Sequence, residues 1–364
     1  MTRLYTNNFR RVKFFKRRPN MKCIVTGATG HIGNVLVRDL YDHGYEVTAI
    51  VLPKDDVHII EAYADIVIGN ILDQAFLERV LRDTDVVFHL AGIVEIGSGK
   101  KKVIEKVNVG GTKNVVDACL KNKVKRLVYT SSVHAIPQLP KGQTMTEVDH
   151  FDAKSVDGLY AKSKATATQY VLDQKDSELD VIIVHPAGVI GPNDYKLSNV
   201  SQVFLDLLCG RLGAYLRGGY NFVDVRDVAA GIRLAAEKGR RGECYILSGH
   251  EISVKELLDE IAVLGNVPKV RTKLSYWFIL AMSYFAELYY FIVKRKPLFT
   301  HYSIIVLDSN FQFSNEKAKR ELGFQTRDIK ESIKDTFEFA VANYLEKHGN
   351  KYRRKLVKKA KNDA

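Results

Sequence analysis

The run Lys22-Cys-Ile-Val-Thr26 is short, apolar and rich in β-branched residues, and it leads directly into Gly27-Ala-Thr-Gly30-His-Ile-Gly33. Residues 34–43 then carry helical periodicity, so strand, glycine turn and helix follow one another without a spacer. Few folds accept that succession. Glycine tolerates positive φ, lets a pyrophosphate approach the backbone and lets the helix pack closely on its strand. A phosphate would rest at the positive end of the helix dipole, beside Gly27, Thr29, Gly30, His31, Ile32 and Gly33.

Further short apolar strands are expected at 46–52, 66–68, 86–90, 127–130 and 181–185, with helices at 73–82, 103–122 and 160–175 between them. Strands alternating with helices imply right-handed βαβ crossovers and a parallel sheet covered on both faces, a doubly wound α/β nucleotide-binding (Rossmann) fold. Residues 21–190 form this part. Beyond 190 the alternation loosens, and 191–345 is expected to be a smaller, mainly substrate-binding part, from which 224–237 and 245–248 return to the main sheet.

The 364 residues carry 55 Lys+Arg against 42 Asp+Glu, a formal charge of +13. Residues 1–20 hold +7 and residues 351–364 hold +6, so the body between them is formally neutral. A basic total suggests nucleic acid or an anionic surface as partner, but here it belongs to the N-terminal extension 1–20 and the tail 346–364. The tails lack a nucleic-acid module and the body offers no basic groove by composition, which disfavours nucleic acid. Cys23, Cys119, Cys209 and Cys244 are far apart and form no C-x-x-C pair, indicating neither a disulfide framework nor a metal site, and a reducing, cytoplasmic setting is expected.

The second strand ends Leu52-Pro53-Lys54-Asp55, with no acidic residue at its tip and Lys54 near enough to pair with a phosphate; this leans towards NADP over NAD. Asn70 and Ile71 follow the third strand and would flank an adenine ring. Leu90, Ala91 and Gly92 end the fourth and would pass beneath the adenosine ribose.

In Tyr160-Ala-Lys-Ser-Lys164, tyrosine and lysine four residues apart share a helix face. An ammonium near a phenol favours the anionic form, and a phenol that titrates at about 10 must come down for acid–base work near neutrality, pushed by the lysine and an oxidised nicotinamide ring together. Tyr129-Thr-Ser-Ser132 ends a strand upstream and places a hydroxyl where a substrate carbonyl could be held.

These motifs, together with Asn108-Val-Gly-Gly-Thr112, His185-Pro-Ala-Gly-Val-Ile-Gly-Pro192 and Asn221-Phe-Val-Asp-Val-Arg-Asp-Val228, resemble the extended short-chain dehydrogenase/reductase family from residue 21 to about 340. The resemblance implies that Tyr160 is the proton donor or acceptor, that Lys164 tunes it and binds the nicotinamide ribose, and that Ser132 orients the substrate oxygen. It also implies that Thr130 and Asn108 lie near the cofactor and that Pro186 and Val189 border the nicotinamide. Asn70 stands where an Asp is usual in the family. The stretches 213–227 and 242–249 are most similar to the dihydroflavonol reductase and 3β-hydroxysteroid dehydrogenase branch, which interconverts alcohols and ketones on bulky apolar molecules. A nucleotide-sugar epimerase or dehydratase is the nearby alternative, with Arg211, Arg217 and Arg226 as candidate pyrophosphate ligands; a cofactor-binding sensor without turnover is the alternative of another class. Helix pairing into a homodimer is implied by the resemblance alone.

Residues 274–293 contain eight aromatic residues and one charge, Glu287, between basic flanks. The length just suffices to span a bilayer, but aromatic residues throughout fit an interface better. The stretch reads as a roof over an apolar pocket or, with the basic tails, as a peripheral attachment to an anionic membrane surface.

Overall fold

A computed structural model describes residues 21–94, 101–277, 280 and 309–345 of the chain. Both basic tails and 278–279 and 281–293 of the apolar stretch lie outside the described residues. Among the described residues no helix is long and apolar enough to cross a membrane.

The nucleotide-binding half comprises β1 (Lys22–Thr26), α1 (His31–Asp42), β2 (Glu46–Val51), β3 (Asp65–Ile68), α2 (Gln74–Val80), β4 (Val86–His89), α3 (Lys101–Ile104), α4 (Thr112–Lys121), β5 (Arg126–Thr130), α5 (Leu159–Leu172) and β6 (Asp180–Pro186). The chain continues through β7 (Gly188–Ile190), α6 (Asn199–Leu208), β8 (Ala214–Leu216), β9 (Gly219–Asp224), α7 (Val225–Lys238), β10 (Cys244–Leu247), β11 (His250–Ser253), α8 (Val254–Leu264), β12 (Thr272–Leu274), α9 (Glu316–Leu322) and α10 (Ile329–Ala340). Seven parallel strands run in the order β10-β6-β5-β4-β1-β2-β3. The strand β10 returns to the edge of β6, as its apolar run 245–248 leads one to expect.

Strands β4 and β6 are almost wholly buried, which is why they read as continuous apolar runs instead of alternating ones. The helix α7 packs between α1 and α9, and α4 between α2 and α5, giving one helical layer per face. The strand order reverses between β1 and β4, and the crevice at their carboxyl ends is where such sheets bind ligands.

The helix expected over 103–122 is interrupted. Residues Glu105–Gly111 form a π-helical turn between α3 and α4. Such wide turns appear where a side chain is re-aimed for a site, and here the turn carries Asn108.

The second part packs α6, α8 and α10 around Phe204, Leu207, Phe222, Leu257 and Ile261, beneath a small sheet ordered β11-β9-β7. An ion cluster ties it to the main sheet. Arg327 meets Asp224 at 3.1 Å and Asp227 at 2.9 Å, and Arg226 meets Asp224 at 2.8 Å and Asp335 at 2.7 Å. The Asp227 side chain is 8% exposed and is ion-paired with Arg327, so removing that cation strands a charge in low dielectric. Arg327→Met should lower stability by about 2–3 kcal/mol in urea unfolding, whereas an unchanged midpoint would show that the cluster is replaceable.

Candidate active site

Each site group reaches the crevice from a turn or helix that begins at a strand's carboxyl end. Gly27 has a φ of 71°, and a Cβ on it would lie 2.7 Å from the Ala91 nitrogen and 2.9 Å from the Leu90 carbonyl carbon. The glycine turn and the segment Leu90-Ala-Gly92 are thus pressed backbone against backbone. A Cβ on Gly33 would stand 2.1 Å from the Gly27 carbonyl oxygen. Gly30 begins α1 without a side-chain cap, so the amides of His31, Ile32 and Gly33 have donors to spare for an anion. Bare amides, no Cβ and a helix N-terminus together fit a dinucleotide pyrophosphate.

A hydrogen-bonded chain runs beneath this turn. The Ala91 amide donates to Thr26 Oγ1 at 3.2 Å, Thr26 Oγ1 and His89 Nδ1 are 2.7 Å apart, His89 Nε2 and Thr112 Oγ1 are 3.0 Å apart, and Thr112 Oγ1 donates to the Asn108 carbonyl at 2.7 Å. Because the Thr112 proton is committed to a carbonyl, His89 is assigned its proton on Nε2. Burial, with the Lys164 charge adding to it, pushes the imidazole down to about 3, so it stays neutral.

The Asn108 side chain joins the end of β4 to α5. Its Oδ1 accepts from the Ile93 amide at 2.7 Å, and its Nδ2 donates to the Ile93 carbonyl at 3.1 Å and to Ser163 Oγ at 3.0 Å. Ser163 in turn donates to the Tyr160 carbonyl at 2.7 Å. One face of α5 brings Tyr160 and Lys164 to the crevice, both buried. Lys164 Nζ donates to the Thr130 carbonyl at 2.8 Å and to Tyr129 Oη at 3.3 Å.

The two adjacent serines separate cleanly, since successive residues of an extended chain point to opposite sides. The Ser131 hydroxyl lies 2.6 Å from Thr168 Oγ1 in the packing of α5. Ser132 caps the short turn Val133–Ala135, and its hydroxyl stands beside the Tyr160 phenol. Burial pushes that phenol up to about 12, against the pull of Ser132, and burial brings the Lys164 amine down to about 7. The expected lowering of the tyrosine by its lysine is therefore not what the protein alone provides: the amine faces the Thr130 carbonyl and Tyr129, and desolvation dominates. Thr130 Oγ1 is buried without a partner, Pro186 closes β6, and Val189 lies in β7.

At the adenosine end the linear reading needs correction. Lys54 is exposed, and a tight turn in which the Asp55 amide donates to the Leu52 carbonyl at 3.0 Å folds Asp55 back onto the tip of β2. There Asp55 Oδ2 accepts from the Leu52 amide at 3.2 Å and from Thr29 Oγ1 at 2.7 Å. A carboxylate does occupy the strand tip. Asn70 is exposed and its side chain accepts from the Leu72 amide at 2.9 Å, while Ile71 is buried against Gly111.

His185 also stays neutral, lowered to about 4 chiefly by burial, with Nδ1 3.0 Å from the Ser132 carbonyl and Phe151 stacked on its ring. For a base whose folded value lies below its unfolded value, stability is complete above the unfolded value near 6.5 and is lost as pH falls towards the folded one, because the unfolded chain binds the extra proton. His89 and His185 should each contribute a slope of about 1.4 kcal/mol per pH unit below pH 6.5. Thermal melts from pH 7 to 4 check this: His185→Gln should flatten the profile, and an unchanged slope would contradict it.

The model of the NAD dependent epimerase/dehydratase family matches residues 23–248, from β1 through the end of the main sheet. The chain belongs to that family. Within the epimerase/dehydratase family, the chain is 31% identical over 332 residues to sterol demethylase protein B of Methylococcus capsulatus, covering 90% of this chain and 99% of that protein. It is 26% identical over 322 residues to the decarboxylating sterol-4-alpha-carboxylate 3-dehydrogenase of Mus musculus, covering 84% of this chain and 86% of that protein. The crystal structure of gox2253 superimposes with a TM-score of 0.78 at 30% identity, over 91% of this chain and 99% of that one. The fold expected from the sequence is that of the solved structure, and the expected class of enzyme is that named for the mouse dehydrogenase.

Proposed function

We propose that the protein is an NAD(P)-dependent dehydrogenase acting on a secondary alcohol or ketone of a bulky apolar molecule, of the sterol class by the names of its relatives. The juxtaposition of the Tyr160 phenol and the Ser132 hydroxyl at the end of β5, with Lys164 one helical turn along, carries the reading. When bound, the nicotinamide supplies a hydride acceptor or donor together with a positive charge in its oxidised form. Ser132 holds the substrate oxygen through its hydroxyl. Tyr160 Oη takes the alcohol proton in oxidation and returns it in reduction. Lys164, fixed by the Thr130 carbonyl, places an amine where a ribose hydroxyl and the phenol can both reach it, and Asn108 holds α5 against the end of β4. Because burial favours the neutral phenol, the protein alone keeps Tyr160 as an acid; positive charge beside it is what makes it a base.

The name of the mouse relative, a decarboxylating sterol-4-alpha-carboxylate 3-dehydrogenase, extends the proposal to a sterol with a carboxylate on the carbon next to the reacting alcohol, where the ketone formed by oxidation assists loss of CO2. Against a nucleotide-sugar substrate stands the engagement of two candidate pyrophosphate ligands. Arg226 is held by Asp224 and Asp335, and Arg211 by Asp206. A panel of 3-hydroxysterols with and without a neighbouring carboxylate, flavanonols and nucleotide sugars, read by reduced-cofactor absorbance, tests the proposal. The expected result is turnover of sterols; turnover of nucleotide sugars alone would overturn it.

A further inference from the structure

The segment 191–198, between β7 and α6, crosses the nucleotide end of the site and then reaches the tip of β2. Its path is stitched to the start of α1: His31 Nε2 lies 2.9 Å from the Pro192 carbonyl, Asn34 Nδ2 donates to the Asn193 carbonyl at 3.1 Å, and Arg38 donates to Asn193 Oδ1 at 3.4 Å. Asp194 anchors the far side, accepting from the Ser198 amide and the Ser201 hydroxyl, each at 2.7 Å. Lys196 then extends to β2, where its Nζ donates to Thr29 Oγ1 at 3.0 Å and to Asp55 Oδ1 at 3.1 Å.

A bare carboxylate at the end of the second strand accepts from a free ribose 2′-hydroxyl and repels a 2′-phosphate. Asp55 is not bare. One oxygen is taken by Thr29 and the Leu52 amide, the other by Lys196. Burial alone would raise the Asp55 pKa, but the hydrogen bonds from Thr29, Lys196 and the Leu52 amide hold it below the usual carboxylate value, so the carboxylate is ionised at neutral pH. The Lys196 side chain is 55% exposed and that of Asp55 18%. An ammonium has three N–H donors, and two of those on Lys196 are engaged within the protein.

We propose that Lys196 is the residue that sets selectivity for the cofactor's 2′ group: by neutralising Asp55 and presenting its third N–H outward, it makes the tip of β2 a receptor for the adenosine 2′-phosphate of NADP. This rests on the dinucleotide reading of the glycine turn. Removing the lysine both deletes the cation and uncovers a like charge against the phosphate, while NAD, with a hydroxyl there, meets an acceptor in either case. Removing the carboxylate instead frees Lys196 for the phosphate.

Calorimetric titration of the full chain with NADP, NAD, adenosine 2′,5′-bisphosphate and AMP tests it. The unaltered protein should bind NADP more tightly than NAD, and the bisphosphate more tightly than AMP. Lys196→Met should weaken NADP by about tenfold or more, the scale of a lost charge-assisted contact, while changing NAD by less than about threefold; Lys196→Arg should keep the preference. Asp55→Asn, which does not depend on how the lysine variant folds, should leave NADP binding equal or tighter. An unchanged NADP-to-NAD ratio in Lys196→Met, an equal loss of both cofactors, or a preference of the unaltered protein for NAD overturns the proposal. Failure of the unaltered protein to bind either dinucleotide overturns the cofactor reading itself.

Discussion

Replacing Tyr160 by Phe is expected to lower kcat by about a thousandfold, the contribution of a positioned acid–base group, while leaving the thermal midpoint and the cofactor Kd nearly unchanged. The ring is buried on α5 and its backbone carbonyl already accepts from Ser163, so the variant keeps the packing and loses only the hydroxyl. Phe cannot exchange a proton with the substrate oxygen, and Ser132 remains to hold it. Ser132→Ala should cost less, because a substrate oxygen that loses one donor is misplaced but can still meet the phenol. Steady-state kinetics alongside thermal melts separate these effects. A Phe variant that turns over at the parental rate would place the chemistry elsewhere.

Gly33→Ala is expected to destabilise the fold by about 3 kcal/mol, at the upper end of overpacking effects, and to weaken the dinucleotide severely. The new methyl would stand 2.1 Å from the Gly27 carbonyl oxygen and 2.9 Å from Ala28 Cα. Both obstacles are backbone, so relief requires α1 to move off β1, which opens the cradle for the pyrophosphate. Gly213→Ala is the control, since nothing lies within 4 Å of its Cβ position. Urea unfolding and cofactor titration should distinguish the two variants clearly; equal stability would mean that the close approach of helix to turn is not needed.

What could be read along the chain and what could not follow a physical division. The inner strands of the main sheet are largely buried, so their apolar runs mark them, and the glycine turn must keep its spacing because backbone meets backbone there. Tyr160 and Lys164 sit on a single helix, where a spacing of four fixes their common face. Asp55 is not legible as a strand-tip carboxylate because a turn of four residues carries it back to a strand tip it has already passed. Lys196 and Thr29 are 167 residues apart, and no local pattern links a loop lysine to a glycine turn. The cluster of Arg226 and Arg327 with Asp224 and Asp227 likewise joins segments about 100 residues apart. The interruption of the helix over 103–122 is not legible either, because the turn carries Asn108 towards Ile93 and Ser163, contacts that a helical periodicity does not contain. The upward pull on the phenol in the protein alone is not legible for a similar reason, since desolvation is a property of the packed site and not of the Tyr-x-x-x-Lys spacing.

The central claim is that hydride leaves a secondary alcohol for the nicotinamide and that the reduced cofactor is then released. A sterol carrying deuterium at the carbinol carbon, turned over with oxidised cofactor and followed by mass spectrometry, tests it most directly. The account predicts deuterium in the released reduced cofactor, in amount equal to the ketone or decarboxylated product formed. Deuterium retained in the product, with no net reduced cofactor, would contradict it and assign the protein to internal-return chemistry instead.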